Sequence, residues 1–288
     1  MLNLQEIVIT TFVDELKRAY QQTYNLIQPQ YGNIIAWSGQ LALENIANSD
    51  ALYHNVEHTI MVTLVGQAIL RGKHICEGGV SPEDWLHFIL GLLHHDIGYV
   101  RGICKVDRGN VLATGLGDDT VTLDWGTTDA SLTPYHVDRS KLFVRERFGS
   151  ALLANIDVDR ILDYIEMTRF PMPDESLLSR KADEYARLAR AADFIGQLGD
   201  PGYLRKMPTL FYELEEAGVN ANIGYQNPVD MREKYAHFYA NVVLPHIQDA
   251  LRYLRVTQDG KQWIANLHAH VFSREHDRML RDATHDGR

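Results

Sequence analysis

The sequence predicts an all-α fold that carries an inserted Gly-rich loop or short hairpin. Several segments place apolar residues at positions i, i+3, i+4 and i+7, whereas the alternation expected of strands is rarely sustained. Residues 101–133 break this helical pattern with five glycines separated by acidic residues. This segment is therefore expected to form the loop or hairpin between helices.

The first helices can be placed from their apolar faces and their start signals. Residues 58–70 carry apolar side chains on the face that also presents His58, and His54 lies one turn earlier. Ser81 and Pro82 are typical N-cap and N1 residues, so they predict the start of a buried helix. That helix brings residues 94–96 to its C-terminal end.

Three later helices are predicted in the same way. Residues 178–198 show a stripe of mostly small residues at helical spacing. Either Asp157 or Asp159 is expected to cap a short helix before it. Asp230 is expected to cap a long helix that bends at Pro245.

Composition limits the classes of function. The 288 residues include 28 Lys and Arg against 38 Asp and Glu, a formal net charge of -10 that disfavours nucleic acid as a partner. Cys76 and Cys104 form no C-x-x-C motif, and no apolar run approaches the roughly 18 residues of a membrane span. We expect a single helical domain over residues 1–288 in the cytoplasm, without membrane contact, and a homo-oligomer is compatible with its apolar helix faces.

Three segments place imidazole or carboxylate groups among apolar residues: Tyr53–His58, Leu92–Tyr99 and Ala191–Gly196. Each group alone could be a hydrogen-bonded core residue, since buried polar groups need a partner. Together, however, two histidines and two aspartates form the mixed nitrogen and oxygen set that a divalent cation prefers. The joint pattern predicts a metal site.

This arrangement resembles the HD-domain superfamily of metal-dependent phosphohydrolases. The resemblance rests on His58, the His95-Asp96 doublet and Asp193, in that order. The segment YHNVEH at residues 53–58 is similar to the Y-H-N-x-x-H motif of the cyclic-nucleotide phosphodiesterase branch. Three further segments look like later parts of that branch: Tyr135–Ser140, Glu166–Arg169 and Phe238–Pro245. The resemblance implies an HD-like helical bundle with its metal-site core at about residues 50–200 and C-terminal helices at about 205–272 packed on it.

By this resemblance, the first of one or two divalent ions would be bound by four residues: His58, His95, Asp96 and Asp193. Asp96 would bridge to the second ion, and zinc, manganese, iron and magnesium all remain candidates. His54 would be the general acid that protonates the leaving oxygen, so His54 and Asp96 are the expected catalytic residues. The implied reaction is metal-assisted hydrolysis of a small phosphorylated substrate, either a phosphodiester or a nucleotide-like phosphomonoester.

Five further residues are candidates for substrate or supporting contacts: Asn55, His136, Arg139, Thr168 and Arg169. Either arginine could bind phosphate, with a protein ion pair as the alternative. His136 is expected to line the site or to bind water of the second ion. Asn55 and Thr168 are expected to fix the acid and a ligand by hydrogen bonds. His94 would replace His95 if the register shifted by one residue.

The sequence also departs from the phosphodiesterase branch at two positions. Tyr99 stands where the branch has the last histidine of H-D-x-x-H, and Tyr235 stands ten residues before Pro245, where a purine-binding glutamine is expected. Occupancy of the second metal site and purine recognition are therefore open. The two other HD dipeptides, at residues 276–277 and 285–286, lie in a charged tail and are expected on the surface.

Two alternatives from other classes of function follow from the same residues. One is a non-catalytic sensor that binds a nucleotide or a metal. The other is a di-iron oxygenase of HD type, which needs additional histidine ligands between the doublet and Asp193. His136 is the only histidine in that interval.

Overall fold

The computed structural model describes residues 3–149, 156–172 and 183–285, which are predominantly helical. The first seven α-helices are α1 (Leu4–Tyr24), α2 (Pro29–Ile46), α3 (Val56–Glu77), α4 (Pro82–His94), α5 (His136–Phe148), α6 (Val158–Glu166) and α7 (Glu184–Leu198). The later α-helices are α8 (Tyr203–Glu216), α9 (Val219–Ile223), α10 (Pro228–Glu233), α11 (Tyr235–Phe238), α12 (Leu244–Leu254) and α13 (Gln258–His285). The predicted all-α class is confirmed.

The Gly-rich segment contains the short hairpin that the sequence allowed. Strands β1 (Val111–Ala113) and β2 (Thr120–Thr122) pair in antiparallel orientation, with Leu112 opposite Val121. A 3₁₀ turn at Asp129–Leu132 follows them, and another at Ile97–Tyr99 connects α4 to the segment. Leu112, Leu123 and Leu132 form a small apolar cluster beneath the hairpin.

The helix start signals act largely as predicted. Ser81 caps α4 in a reciprocal capping box with Asp84, and Pro82 occupies the first turn. Asp157, rather than Asp159, caps α6 by accepting a hydrogen bond from a backbone N–H. Helix α7 contains the predicted stripe, while residues 178–182 of that prediction lie outside the described residues.

The prediction of one long late helix that starts at Asp230 was wrong. Asn227 caps α10, and the chain then continues through α11 and a π-helical turn at Tyr239–Val243 into α12. Pro245 lies in the first turn of α12 and has no N–H to donate to the preceding turn. The loss of that regular hydrogen bond explains why the irregular turn lies directly before this proline.

The main hydrophobic core extends from Ile9 to Leu267 and includes residues of α1, α8, α12 and α13. Helices α3 and α7 pack most extensively against each other, and α12 packs on both. A Cβ atom added at Gly196 would lie 2.6 Å from Cα of Val62, so glycine permits this close approach. Asp193 and His58 lie one turn before these two contact residues and are brought together by the same packing.

In the described residues, we find no helix that is both long and apolar enough to cross a membrane.

Candidate metal centre and adjoining cavity

The elements that carry the predicted ligands meet at one end of the α3, α4 and α7 packing. Asn55 caps α3, accepting hydrogen bonds from the N–H groups of Glu57 and His58 at 3.0 and 3.3 Å. His95 and Asp96 follow the last turn of α4. A Cβ atom at Gly98 would lie 1.9 Å from the carbonyl oxygen of His136, so the doublet packs directly against the start of α5.

The four predicted metal ligands converge. Asp96 Oδ2 lies 3.2 Å from His58 Nε2 and 3.0 Å from His95 Nε2. The two Nε2 atoms are 3.4 Å apart. Asp193 Oδ1 completes the group at 3.4 Å from His58 Nε2 and 3.8 Å from His95 Nε2. Asp193 is 20% exposed at its side chain, whereas the other three are buried.

Hydrogen bonds to the backbone fix how the imidazoles present their nitrogens. His95 Nδ1 donates to the carbonyl of Leu92 at 2.7 Å, and His136 Nδ1 donates to the carbonyl of Thr133 at 2.6 Å. In the neutral rings, Nε2 is then an acceptor that faces Asp96. Asp96 Oδ2 is buried and finds no hydrogen-bond donor among the described residues. These acceptor atoms fit a divalent cation, which would satisfy all of them at once.

The charges in the cluster lead to the same interpretation. Burial by itself lowers the pKa of His58, but the nearby carboxylates of Asp193 and Asp96 raise it to about 10. Burial raises the pKa of Asp96, yet His95, His54 and His58 hold it well below its usual range. Asp96 therefore remains an ionised carboxylate at a buried position, where a bound cation could compensate its charge.

His54 is held by a residue that the sequence did not reveal. Glu213, in α8, has a fully buried side chain and contacts His54 Nδ1 through Oε1. Its Oε2 accepts the N–H groups of Tyr53 and His54 at 2.7 and 3.3 Å. Burial lowers the pKa of His54, but the Glu213 and Asp96 carboxylates raise it overall. Glu213 lies 159 residues from His54 in a glutamate-rich helix, where no motif marks it.

Tyr99, at the position where the phosphodiesterase branch has a histidine, packs between two imidazoles. Its ring stacks on His54 at 4.8 Å and on His136 at 4.5 Å between centroids. His136 Nε2 lies 3.8 Å from Asp96 Oδ1, on the opposite carboxylate oxygen from the ligand cluster. His136 therefore lies beside Asp96 and lines the site, while a role beside a second ion stays a prediction.

A cavity opens next to His54, Asp96 and Asp193. It contains about 820 Å³ of space free of protein atoms, part of it open to solvent. Thr168 and His136 also line it, and the Thr168 hydroxyl donates to the carbonyl of Ile165 at 2.8 Å. The rest of the wall is mainly aromatic and aliphatic: Phe170, Phe194, Tyr203, Met207, Leu210, Leu214, Ile223, Tyr225, Met231, Tyr235 and Phe238.

The structure corrects the expectation that Arg139 binds phosphate. Its side chain is fully buried and donates to the carbonyls of Gly98, Val100 and Ala113 and to both carboxylate oxygens of Asp107. All of its N–H groups are used, so Arg139 attaches the hairpin segment to α5.

Arg169 does not line the cavity either. It forms ion pairs with Glu166 and, at 2.9 Å, with Asp138, and Lys141 shares both carboxylates. This is the protein ion pair that the sequence offered as the alternative to a phosphate contact. With both arginines bound to protein acids, the expected phosphate contacts of this pair are not supported.

His95 rather than His94 faces the carboxylates. His94 donates to the carbonyl of Leu90 and packs against Phe143 and Phe148, and burial lowers its pKa to about 4. In the charged tail His276 is exposed, as expected. The side chains of Asp277 and His285, and the whole of Asp286, lie outside the described residues.

The fold and the site define a helical protein with a buried histidine and aspartate cluster suited to a cation. Residues 2–277 match the model of the Npun_R2479-like family, and the chain belongs to that family. No curated protein gives a significant match to the chain. No solved structure does so either.

Proposed function

We propose that this chain is a metal-dependent phosphohydrolase with an HD-domain-like bundle, acting on a small phosphorylated substrate in the cytoplasm. One observation carries the proposal. Asp96 and Asp193 of the converging cluster line the same cavity as His54, whose other ring nitrogen contacts Glu213, so the proposed cation site and proton donor adjoin one substrate space. The order of these residues along the chain also resembles the HD superfamily.

A divalent ion would be held by four side chains: His58, His95, Asp96 and Asp193. Such an ion lowers the pKa of a bound water and neutralises charge on a phosphoryl oxygen. The second oxygen of Asp96 and the nearby His136 Nε2 provide the contacts proposed for a second ion. Among the described residues that line the cavity, none is lysine or arginine, so an anionic group there would depend on the bound cation for attraction.

His54 is the proposed general acid. Because Glu213 engages Nδ1, the other ring nitrogen, Nε2, is free to act on a substrate in the cavity that His54 lines. The buried Glu213 carboxylate stabilises the protonated ring and holds its orientation, as a carboxylate does for a catalytic histidine. His54 would donate its proton to the ester oxygen as the bond to phosphorus breaks.

The proposal is tested by metal content of the purified protein together with turnover of generic phosphomonoesters and phosphodiesters in added manganese. We expect one to two equivalents of metal and hydrolysis of one ester class. Asp96→Ala should lose both metal and turnover. His54→Gln should keep the metal but lose most turnover, and His276→Ala, at an exposed histidine, should change neither.

Absence of metal and of turnover in the wild-type protein would contradict the proposal and favour the sensor. The di-iron oxygenase is tested separately, because His136 lies close to Asp96 and offers a further ligand. A coloured protein whose activity requires oxygen would favour that alternative. A colourless protein that is inhibited by a chelator and works anaerobically would exclude it.

A further inference from the structure

The residues that line the cavity are of two chemical kinds. The groups proposed for catalysis are His54, Asp96 and Asp193. Most of the remaining lining, contributed by α8, α10 and α11 together with Phe170 and Phe194, is apolar and is called the apolar wall below. A substrate with its phosphate at the three polar groups would therefore have its organic group in contact with this apolar wall.

Four polar side chains stand among these apolar residues: Gln197, Tyr203, Tyr225 and Tyr235. Gln197 donates to the hydroxyl of Tyr203 at 3.2 Å. Tyr235 is 1% exposed, and its hydroxyl is buried without a hydrogen-bond partner among the described residues. A purine base carries several donors and acceptors along its edges, and each one left unpaired on burial costs free energy. The wall suits an organic group with far fewer polar atoms.

Aromatic residues of the lining pack against one another in pairs. Phe170 and Phe238 meet edge to face with centroids 6.0 Å apart, and Tyr203 and Tyr235 lie 5.8 Å apart. Both Tyr235 and Phe238 belong to the short helix α11, directly before the π-helical turn, a feature often found at functional sites. A ligand ring that meets these side chains edge to face or offset would gain binding free energy beyond that from buried area alone.

We infer that the organic group of the substrate is apolar and aromatic, with one hydrogen-bonding atom for Tyr235, and is not a nucleoside. This inference rests on the proposed phosphohydrolase function. The reaction would add the oxygen of water to phosphorus and break the bond between phosphorus and the ester oxygen. That oxygen would take a proton from His54, releasing an apolar alcohol and inorganic phosphate.

The test compares 2-naphthyl phosphate with adenosine 5′-monophosphate as substrates and uses 2-naphthol as a ligand of the chelator-treated protein. We expect kcat/KM to be about tenfold or more higher for the naphthyl ester, and 2-naphthol to bind measurably by calorimetry. Phe238→Ala should weaken 2-naphthol binding about tenfold while leaving the affinity of the metal-loaded protein for inorganic phosphate unchanged. Tyr212→Ala removes an exposed ring of the same class and should have no effect.

Equal or better turnover of the nucleotide would overturn the inference, as would unchanged 2-naphthol binding in folded Phe238→Ala. If that variant does not fold, Phe238→Leu replaces it and should lose about threefold in affinity, since it keeps apolar volume without the ring. Binding of 2-naphthol without turnover of any ester would support the ligand class and contradict the phosphohydrolase. Turnover of nucleotides alone would support the phosphohydrolase and contradict the proposed ligand class.

Discussion

Replacing Arg139 with methionine would remove the cation from a fully buried network. Arg139 makes five hydrogen bonds of 2.6–3.2 Å to three carbonyl oxygens and to the Asp107 carboxylate. The side chain of Asp107 is 1% exposed and keeps two backbone N–H donors, but no positive charge, after the change. The variant therefore leaves a buried carboxylate uncompensated.

The size of the effect follows from this burial. Removing one partner of a buried ion pair costs about 3–5 kcal/mol, against a total stability of about 5–15 kcal/mol for a folded protein. We expect Arg139→Met to lower the free energy of unfolding by about 3–5 kcal/mol. Adding Asp107→Asn, which removes the stranded charge but keeps an acceptor, should recover about 1 kcal/mol or more.

Urea unfolding followed by circular dichroism measures these differences. Arg169→Met is the matched control, because Arg169 pairs with carboxylates at a partly exposed site and should cost about 1 kcal/mol or less. Suppose instead that Arg139→Met unfolds at the wild-type urea concentration but no longer binds phosphate esters. Arg139 would then contact substrate, and the structural role argued for it would be refuted.

Three further predictions concern the metal, a pair of tyrosines and pH. Manganese or zinc at about 100 times its dissociation constant should stabilise the protein by about 2.7 kcal/mol and raise the melting temperature by about 4–5 °C. Differential scanning fluorimetry should show most of this shift lost in Asp193→Asn, and an equal shift in that variant would count against the metal site. Tyr235→Phe should raise the free energy of unfolding by about 1 kcal/mol, because the hydroxyl is buried without a partner. Tyr253→Phe should lower it by a similar amount, because that hydroxyl bonds Glu184 at 2.7 Å, and urea titrations showing the opposite order would contradict both expectations. His87 donates to one backbone carbonyl and accepts from a backbone N–H, and burial lowers its pKa. The stabilisation from neutral His87 is therefore complete above about pH 6.5, the pKa of histidine in the unfolded chain. It is lost as the pH falls toward the lower pKa of His87 in the folded protein, at up to about 1.4 kcal/mol per pH unit. Unfolding at pH 7 and pH 5 should show a smaller loss in His87→Asn than in the wild type, and an identical loss would exclude this role.

The ligand cluster could be predicted from sequence because its signals are local. His58 and Asp193 each interrupt an apolar or small-residue helix face, and His95 with Asp96 ends a helix of almost continuous apolar residues. Buried polar groups of this kind need partners, so their joint presence indicates a common site. The N-cap role of Asn55 follows from equally local features.

The partners of charged residues could not be predicted, because they come from distant segments. Arg139 bonds backbone groups and a carboxylate that lie 26 to 41 residues away, and only the folded hairpin brings them together. Glu213 reaches His54 across 159 residues. The prediction of a single late helix was wrong for another reason. The segment from Tyr235 to Pro245 contains a π-helical turn that no local residue pattern revealed.

The backbone hydrogen bonds of His95 and His136 affect how tightly an ion could bind. Each ring is fixed by a carbonyl three residues earlier in the chain, so its rotation is already restricted when the local turn forms. The entropy of ordering these rings is thus lost during folding and would not oppose ion binding. Asp193, the most exposed of the four proposed ligands, then remains the side chain whose ordering would set the entropic penalty of ion uptake.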